Sequence, residues 1–354
     1  MSANSPQSAE TTGSHRPELG RCLVFTGGGL GDTLFHLAHY RAIAARSSGG
    51  KIHLAVKKGR MIRTLFAHLP EIEAVHGAAR DESRSGKISL WEMRRLFASL
   101  KLDTVIALHP SGTIPMAARL AGVRRVYGFR ERATFADALY TQRALVSPDR
   151  PVPPLMTGAD ALFRDLSWPF DHDSVRFLPA AEDAATADGL LQGVPEPWVC
   201  IGLNGSTAEK RWAKENFRLV IGALAKRGVG AFILFGGPDV AEDAAWLKAA
   251  SYSDLCPSPP VFVDADGRHG LGVDHALLAR CCLYVGNDSF GLNLAVFCGL
   301  PAAVGLFGPT APLTYSPRLI AVEADPPGSG MGSVPVEKMQ TCLEALKLPG
   351  LDQP

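Results

Sequence analysis

The sequence has 354 residues, 46% hydrophobic and 20% charged; this excludes a wholly disordered chain and is long for one hydrophobic core, so two domains are expected. The net charge of +1 conceals a split, with 18 Lys and Arg against 9 Asp and Glu over residues 51–150, then 14 against 23 over 151–354. The acidic second half argues against a general nucleic-acid binder, whereas the basic first half suits an anionic partner or a membrane surface.

Residues 1–19 ("MSANSPQSAETTGSHRPEL") are polar, with neither a basic start nor an apolar h-region. They read as a disordered tail and not as a secretory signal, which points to the cytoplasm. From Arg21, short apolar runs alternate with helix-length patterns: the strand "RCLVFT", a glycine turn, the helix "GDTLFHLAHYRAIAAR" and the strand "KIHLAV". Strands follow at "EIEAVHG", "DTVIALHP" and "RRVYGF", with helices at "LWEMRRLFASLK" and "LMTGADALFRDL", and this first unit closes near residue 175. A second series opens at "WVCIGLN" and continues through a helix near 214–227, "AFILFGG", a helix near 239–250, "VFVDADG", the helix "DHALLARC", "LYVGN", a helix from about 290, "PAAVGLFG" and "RLIAVEA". Two such series in tandem predict an α/β protein with two parallel sheets facing each other across a cleft.

One stretch, "CCLYVGNDSFGLNLAVFCGLPAAVGLFGPTAP", carries no acid or base between Asp288 and Arg318. A membrane span needs about 20 uninterrupted apolar residues, and Asn293, Gly299 and Pro301 divide this run into a short helix and a strand buried in a parallel sheet. The seven cysteines, at 22, 200, 256, 281, 282, 298 and 342, show neither CxxC nor His-linked metal spacing. They read as core thiols, and a disulfide between the adjacent Cys281 and Cys282 is the weaker reading.

Ligands of open α/β sheets bind beyond the carboxyl ends of the strands, and three such loops carry unusual chemistry. In "TGGGLGDTLFH", residues 26–36, consecutive glycines allow close backbone approach, and Asp32 is open to two comparable readings, N-cap of the following helix and catalytic carboxylate. In "LNGSTAEKRWAKENF", residues 203–217, Ser206 and Lys210 flank a turn before a helix and suit a diphosphate, although a surface lysine is ordinarily only solvated. Trp212 and Phe217 read as a staple at the start of that helix. In "GNDSFG", residues 286–291, Asp288 or Ser289 would cap the next helix, and Gly291 lets the backbone come close to a bound group.

These loops, as "GGLGDTLFHLAHYRAI", "NGSTAEKRWAKENFRLVIGAL" and "YVGNDSFGLNLAVFCGLPAAVGLFGPTAP", in that order and spacing over about residues 21–348, make the chain resemble glycosyltransferase family 9, the ADP-heptose:lipopolysaccharide heptosyltransferase group. The resemblance implies a GT-B fold of two Rossmann-like domains: an acceptor domain over 20–175, a nucleotide-sugar domain over 176–334, and a last helix within 335–354 that is a candidate to pack back on the first domain. It implies inverting transfer of a heptose or related sugar without a metal or other cofactor. Asp32 becomes the general base, Ser206 and Lys210 the diphosphate contacts, and Asp288, Ser289 and Gly291 donor-binding groups. An ADP-sugar is the favoured donor. The acceptor would be a saccharide or lipid-linked saccharide of the cell envelope, reached at the cytoplasmic face of the inner membrane.

The third motif departs from the family pattern. Phe290 stands where the family has Gly and would crowd the sugar pocket, and Asn293 stands where it has His. A donor other than ADP-heptose, a nucleotide-sugar binder without turnover, and a nucleotide-sugar epimerase of similar architecture therefore stay open. On the acceptor side, His109, Ser111 and Arg130 are weaker candidates, with Arg60, Arg63, Arg124, Arg125 and Arg132 as further partners for phosphate. The stripe Leu90, Trp91, Met93, Leu96, Phe97 and Leu100 reads as core packing in preference to a bilayer contact.

Overall fold

The computed structural model describes residues 18–57, 59–78, 88–130, 135–145 and 154–347. In chain order the first half comprises β1 (Gly20–Thr26), α1 (Leu30–Leu34), α2 (Leu37–Ala44), β2 (Ser47–Val56), α3 (Gly59–Phe66), β3 (Ile72–Gly77), α4 (Leu90–Leu100), β4 (Thr104–Ala107), α5 (Thr113–Leu120), β5 (Arg125–Arg130), β6 (Gln142–Leu145) and α6 (Pro154–Asp165). The second comprises α7 (Ala181–Leu191), β7 (Trp198–Gly202), α8 (Lys214–Lys226), β8 (Ala231–Phe235), α9 (Ala241–Ala249), β9 (Val261–Ala265), α10 (Leu271–Leu278), β10 (Leu283–Asn287), α11 (Phe290–Cys298), β11 (Ala302–Phe307), β12 (Leu319–Glu323) and α12 (Val336–Ala345).

The strands form two six-stranded sheets, ordered β3-β2-β1-β4-β5-β6 and β12-β11-β10-β7-β8-β9, and every pairing is parallel. Counted from its own first strand, each sheet has the Rossmann order 3-2-1-4-5-6. The order reverses between β1 and β4 in one sheet and between β7 and β10 in the other. Those two crevices are where loops on opposite sides of the sheet diverge, and the three chemistry-bearing loops follow β1, β7 and β10. The α/β architecture of two Rossmann-like units is the one the sequence pattern predicts.

The strands carry apolar runs because helices cover both faces of each sheet; Leu23–Phe25 and Val199–Ile201 are fully buried. One apolar cluster is continuous through both halves. It holds Leu34, Phe35 and Phe66 of the first half and Phe177, Tyr284, Leu294 and Phe297 of the second. Phe35 meets Phe297 edge-on at 5.9 Å and Tyr315 at 5.1 Å. In the charge-free helix, residues 290–298, Gly291 to Phe297 are buried, so that stretch is core. Among the described residues no helix is long and apolar enough to cross a membrane.

Several expectations need correction. Of the tail assigned to 1–19, residues 1–17 lie outside the described residues, but Leu19 is fully buried; its N–H donates to Arg46 O at 3.0 Å and its carbonyl accepts from Thr104 Oγ1 at 2.7 Å. The helix read as "GDTLFHLAHYRAIAAR" is two helices, α1 and α2, broken at Phe35 and His36. Among the described residues of the last helix, α12, Met339 and Leu343, one turn apart, join the apolar cluster of the second half, and α12 lies against α8. The cysteines, by contrast, are free thiols as the core reading expects, Cys281 and Cys282 included, and burial pushes the Cys22 thiol up to about 12.

Candidate active site

Loop one leaves β1 through Gly27, Gly28 and Gly29. A Cβ on Gly27 would lie 2.7 Å from the His109 ring, and one on Gly28 would lie 2.2 Å from the Asp32 carboxylate, so the glycines let the backbone run beneath both side chains. Asp32 Oδ2 accepts the Gly29 N–H at 2.6 Å, and Thr33 Oγ1 donates to Gly29 O at 3.0 Å. The N-cap of α1 is Gly29, so Asp32 is not the N-cap residue expected; it stands three positions on and its carboxylate reaches back to cap the Gly29 N–H. The carboxylate is only half-buried, and its Oδ1 accepts no hydrogen bond among the described residues.

Loop three behaves in the opposite way. Ser289 occupies the N-cap position of α11 in an extended conformation but makes no capping hydrogen bond; its hydroxyl instead donates to Asn204 Oδ1 at 3.3 Å. Asp288 does not cap either. Its Oδ2 accepts from Lys210 Nζ at 3.0 Å and from Thr310 Oγ1 at 2.8 Å. The expected cap is missing because both side chains reach sideways to neighbouring loops. The first-turn amides of α11 are left without a side-chain acceptor, at the positive end of the helix dipole.

Loop two is pinned to loop three by a residue that sequence reading passed over as a strand end. Asn287, fully buried, accepts from Trp212 N at 3.0 Å and donates to Leu203 O at 2.7 Å, so it closes both ends of the 203–212 loop. Trp212 precedes the N-cap residue Ala213 and meets Phe217 edge-on at 5.3 Å, the expected staple. Lys210 is thereby held over Asp288, whereas Ser206 is exposed. The Lys210–Asp288 pair is partly open to solvent, with 24% and 18% of the side chains accessible, so it is worth about 1 kcal/mol or less and can rearrange around an anion. Tyr284 runs beneath this junction with its hydroxyl 3.5 Å from Ser289 Oγ; a Cβ on Gly202 or Gly291 would meet that hydroxyl at 1.8 or 2.9 Å.

Loops one and three meet as well. α1 packs on α11, and a Cβ on Gly31 would sit 2.8 Å from Asn293 Nδ2. Asn293 Oδ1 accepts from the Tyr315 hydroxyl, a hydroxyl whose pKa burial pushes well up. The residue standing in place of a histidine is thus committed to the seam between the halves.

Beside this junction lies a cleft of about 460 Å³. Leu30, Arg60, Met61 and Thr64 line it from the first half, and Asn204, the 235–238 turn after β8, Asp266 and Gly267 after β9, Asp274 and Phe290 line it from the second. Asp274 is nearly out of solvent. Burial pushes its pKa up to about 7, the charge of Asp266 adds to the rise, and the Gly267 N–H opposes it. The sequence pattern placed Asp274 only as a helix residue; an acid on the "DHALLARC" face that packs toward the sheet was the available signal.

The weaker acceptor candidates are mostly engaged within the first half. Ser111 Oγ accepts from Ile114 N at 3.2 Å, and Ser111 O accepts from Arg130 Nη1 at 3.3 Å and the Tyr140 hydroxyl at 3.0 Å. Arg130 also lies 3.7 Å from Asp137, and Arg63 donates to Val75 O. His109 lies against loop one, within 3.0 Å of Pro110 O. Arg132 lies outside the described residues. Met93 and Phe97 are buried while Trp91 is 60% exposed, so the stripe is core with one residue outside it.

A model of glycosyltransferase family 9 (heptosyltransferase) matches residues 93–325. No curated protein matches the chain in sequence. Among solved structures, a family 9 glycosyl transferase from Veillonella parvula aligns with a TM-score of 0.74 at 17% identity, over 92% of this chain and 96% of that one. ADP-heptose lps heptosyltransferase II of E. coli gives 0.66 at 18%, over 92% and 98%. The E. coli heptosyltransferase WaaC with ADP-2-deoxy-2-fluoro heptose gives 0.64 at 19%, over 92% and 99%. At these identities the neighbours show a shared fold, two Rossmann-like domains of GT-B type.

Proposed function

The chain belongs to glycosyltransferase family 9, and from that premise we propose that it is an inverting transferase taking a heptose or related sugar from a nucleotide diphosphate donor. An ADP-sugar is the favoured donor, and the acceptor is a saccharide or lipid-linked saccharide of the cell envelope, met at the cytoplasmic membrane face. The observation that carries this reading is the junction at the second switch point: first-turn amides of α11 with no side-chain cap, the Lys210 ammonium held on Asp288, and the cleft alongside. Such an arrangement receives a diphosphate.

In this mechanism the Asp32 carboxylate takes the proton of an acceptor hydroxyl as its oxygen attacks the anomeric carbon. The bond from that carbon to the β-phosphate oxygen breaks, and the nucleoside diphosphate leaves with the electron pair. Lys210 and the α11 amides stabilise the charge that develops there, so no metal or cofactor is assigned to the step. Ser289 and Gly291 border the leaving group, and Ser206 reaches it from loop two. Asp32 keeps Oδ2 on Gly29 and works through Oδ1.

A second reading, nucleotide-sugar binding without turnover, is favoured by Phe290 on the cleft wall and by Asn293 locked into the seam. Purified protein offered ADP-, GDP- and UDP-sugars with envelope acceptors is expected to release nucleoside diphosphate. Calorimetric binding of a donor with no release across the panel would favour the second reading, and a changed sugar without acceptor would indicate an epimerase.

A further inference from the structure

We propose that His39, Asp160 and His172 form a site for one divalent transition metal of the zinc class, independent of the transfer site. The three come from α2, α6 and the segment that leads from α6 into the second half, so no spacing in the sequence announces them. Their donor atoms all lie within 4.8 Å of one another. Both imidazoles present Nε2, and both Nε2 atoms are 2.9 Å from the same oxygen, Asp160 Oδ1. The rings stand 5.2 Å apart at 76°, as two ligands approaching one centre from different directions do.

The chemistry of the set fits zinc. Two neutral imidazoles and a carboxylate are a common protein complement for it, with bonds of about 2.0–2.2 Å and a solvent molecule in the fourth position. Tetrahedral bonds of that length place ligands about 3.3 Å apart, so the present 2.9 Å need only open by a few tenths of an ångström. Burial holds His39 below its usual pKa. Burial acts to raise Asp160, but hydrogen bonds from His172 and His39 overcome it and hold the carboxyl at about 2. Burial thus favours the neutral form of His39 and the hydrogen bonds favour the ionised form of Asp160, the states a metal requires of them, and binding at Nε2 requires each ring to carry its proton on Nδ1.

The surroundings favour one strong polar centre. Phe163 and Phe170 pack on the His39 ring at 4.6 and 5.1 Å, which keeps competing water from the inner side. His172 and Asp160 remain 24% and 13% exposed, which leaves an approach from solvent. Arg164 Nη2, 3.7 Å from Asp160 Oδ2, is the opposing charge; its side chain is 67% exposed and can swing away. A metal here would clamp α2 to α6 and to the start of the crossing segment.

The full chain, stripped with EDTA and titrated with Zn2+, is expected to retain about one equivalent through gel filtration. At a hundredfold excess over the dissociation constant its melting temperature should rise by about 4 °C. His172→Gln, which keeps a donor to Asp160 but loses an imidazole, should abolish both effects. Zinc-edge X-ray absorption on the wild-type protein, which needs no variant, should show two imidazoles and no sulfur. Absence of retained zinc with an unmoved melting temperature, equal binding by His172→Gln, or a sulfur shell would each overturn the assignment.

Discussion

Asp274 supplies the sharpest numerical test, because a buried carboxyl with a raised pKa makes stability depend on pH in a fixed direction. Its folded pKa, about 7, lies above the unfolded value of 3.8. Its contribution is therefore fully present below pH 3.8 and is lost as pH rises through 7. The full shift corresponds to about 4 kcal/mol, of which about 3 kcal/mol is lost between pH 5 and pH 8. Asp274→Asn keeps an acceptor for the Gly267 N–H and removes the ionisation. Urea denaturation of both proteins at pH 5 and pH 8 should show the variant gaining about 3 kcal/mol on wild type over that interval. A difference between the two proteins that stays constant within 1 kcal/mol across both pH values would refute the reasoning, and would mean that water or Asp266 relieves the buried charge.

Three further outcomes follow from the junction. Asp32→Asn preserves an acceptor for the Gly29 N–H, so the melting temperature should stay near wild type while turnover falls by about 10²–10⁴-fold; preserved turnover would leave Asp32 a cap alone. Asn287→Ala removes both buried hydrogen bonds that close loop two and should cost about 2–4 kcal/mol by denaturant titration, with weaker donor binding by calorimetry. Gly31→Ala pushes a methyl against Asn293 Nδ2 and should cost about 1–3 kcal/mol, and combining it with Asn293→Ala should recover part of that loss. Strict additivity of those two substitutions would show that they do not touch.

Much of the fold was legible because parallel strands buried on both faces are written as apolar runs, and "RCLVFT", "WVCIGLN" and "LYVGN" all fall on such strands. The misses share a physical cause. β6, QRAL, has only four residues of which two are polar, so unlike the equally short but apolar β4, TVIA, it shows no apolar run. α3, α5 and α7 went unassigned although α3 and α5 line up behind clear strands; Gly59 and Pro115 lie within them, residue types that weaken a helical pattern. The loops of the candidate site were legible as glycine turns with polar residues, but the division of labour among their side chains was not. Capping looked equally available to Asp32, Asp288 and Ser289, and only the position of Asn204, Lys210 and Thr310 in space takes it away from the last two. His39 and Asp160, 121 positions apart, show the same limit more strongly: proximity made by tertiary packing leaves no trace in spacing.

The apolar cluster shared by both halves bears on how the molecule comes apart. Releasing either half alone would bare Phe35 on one side and Phe297 on the other to water, aromatic surface that is costly to hydrate. Heating should accordingly melt the two sheets in one calorimetric transition, and a chain cut near residue 175 should yield fragments that associate or precipitate in preference to standing alone.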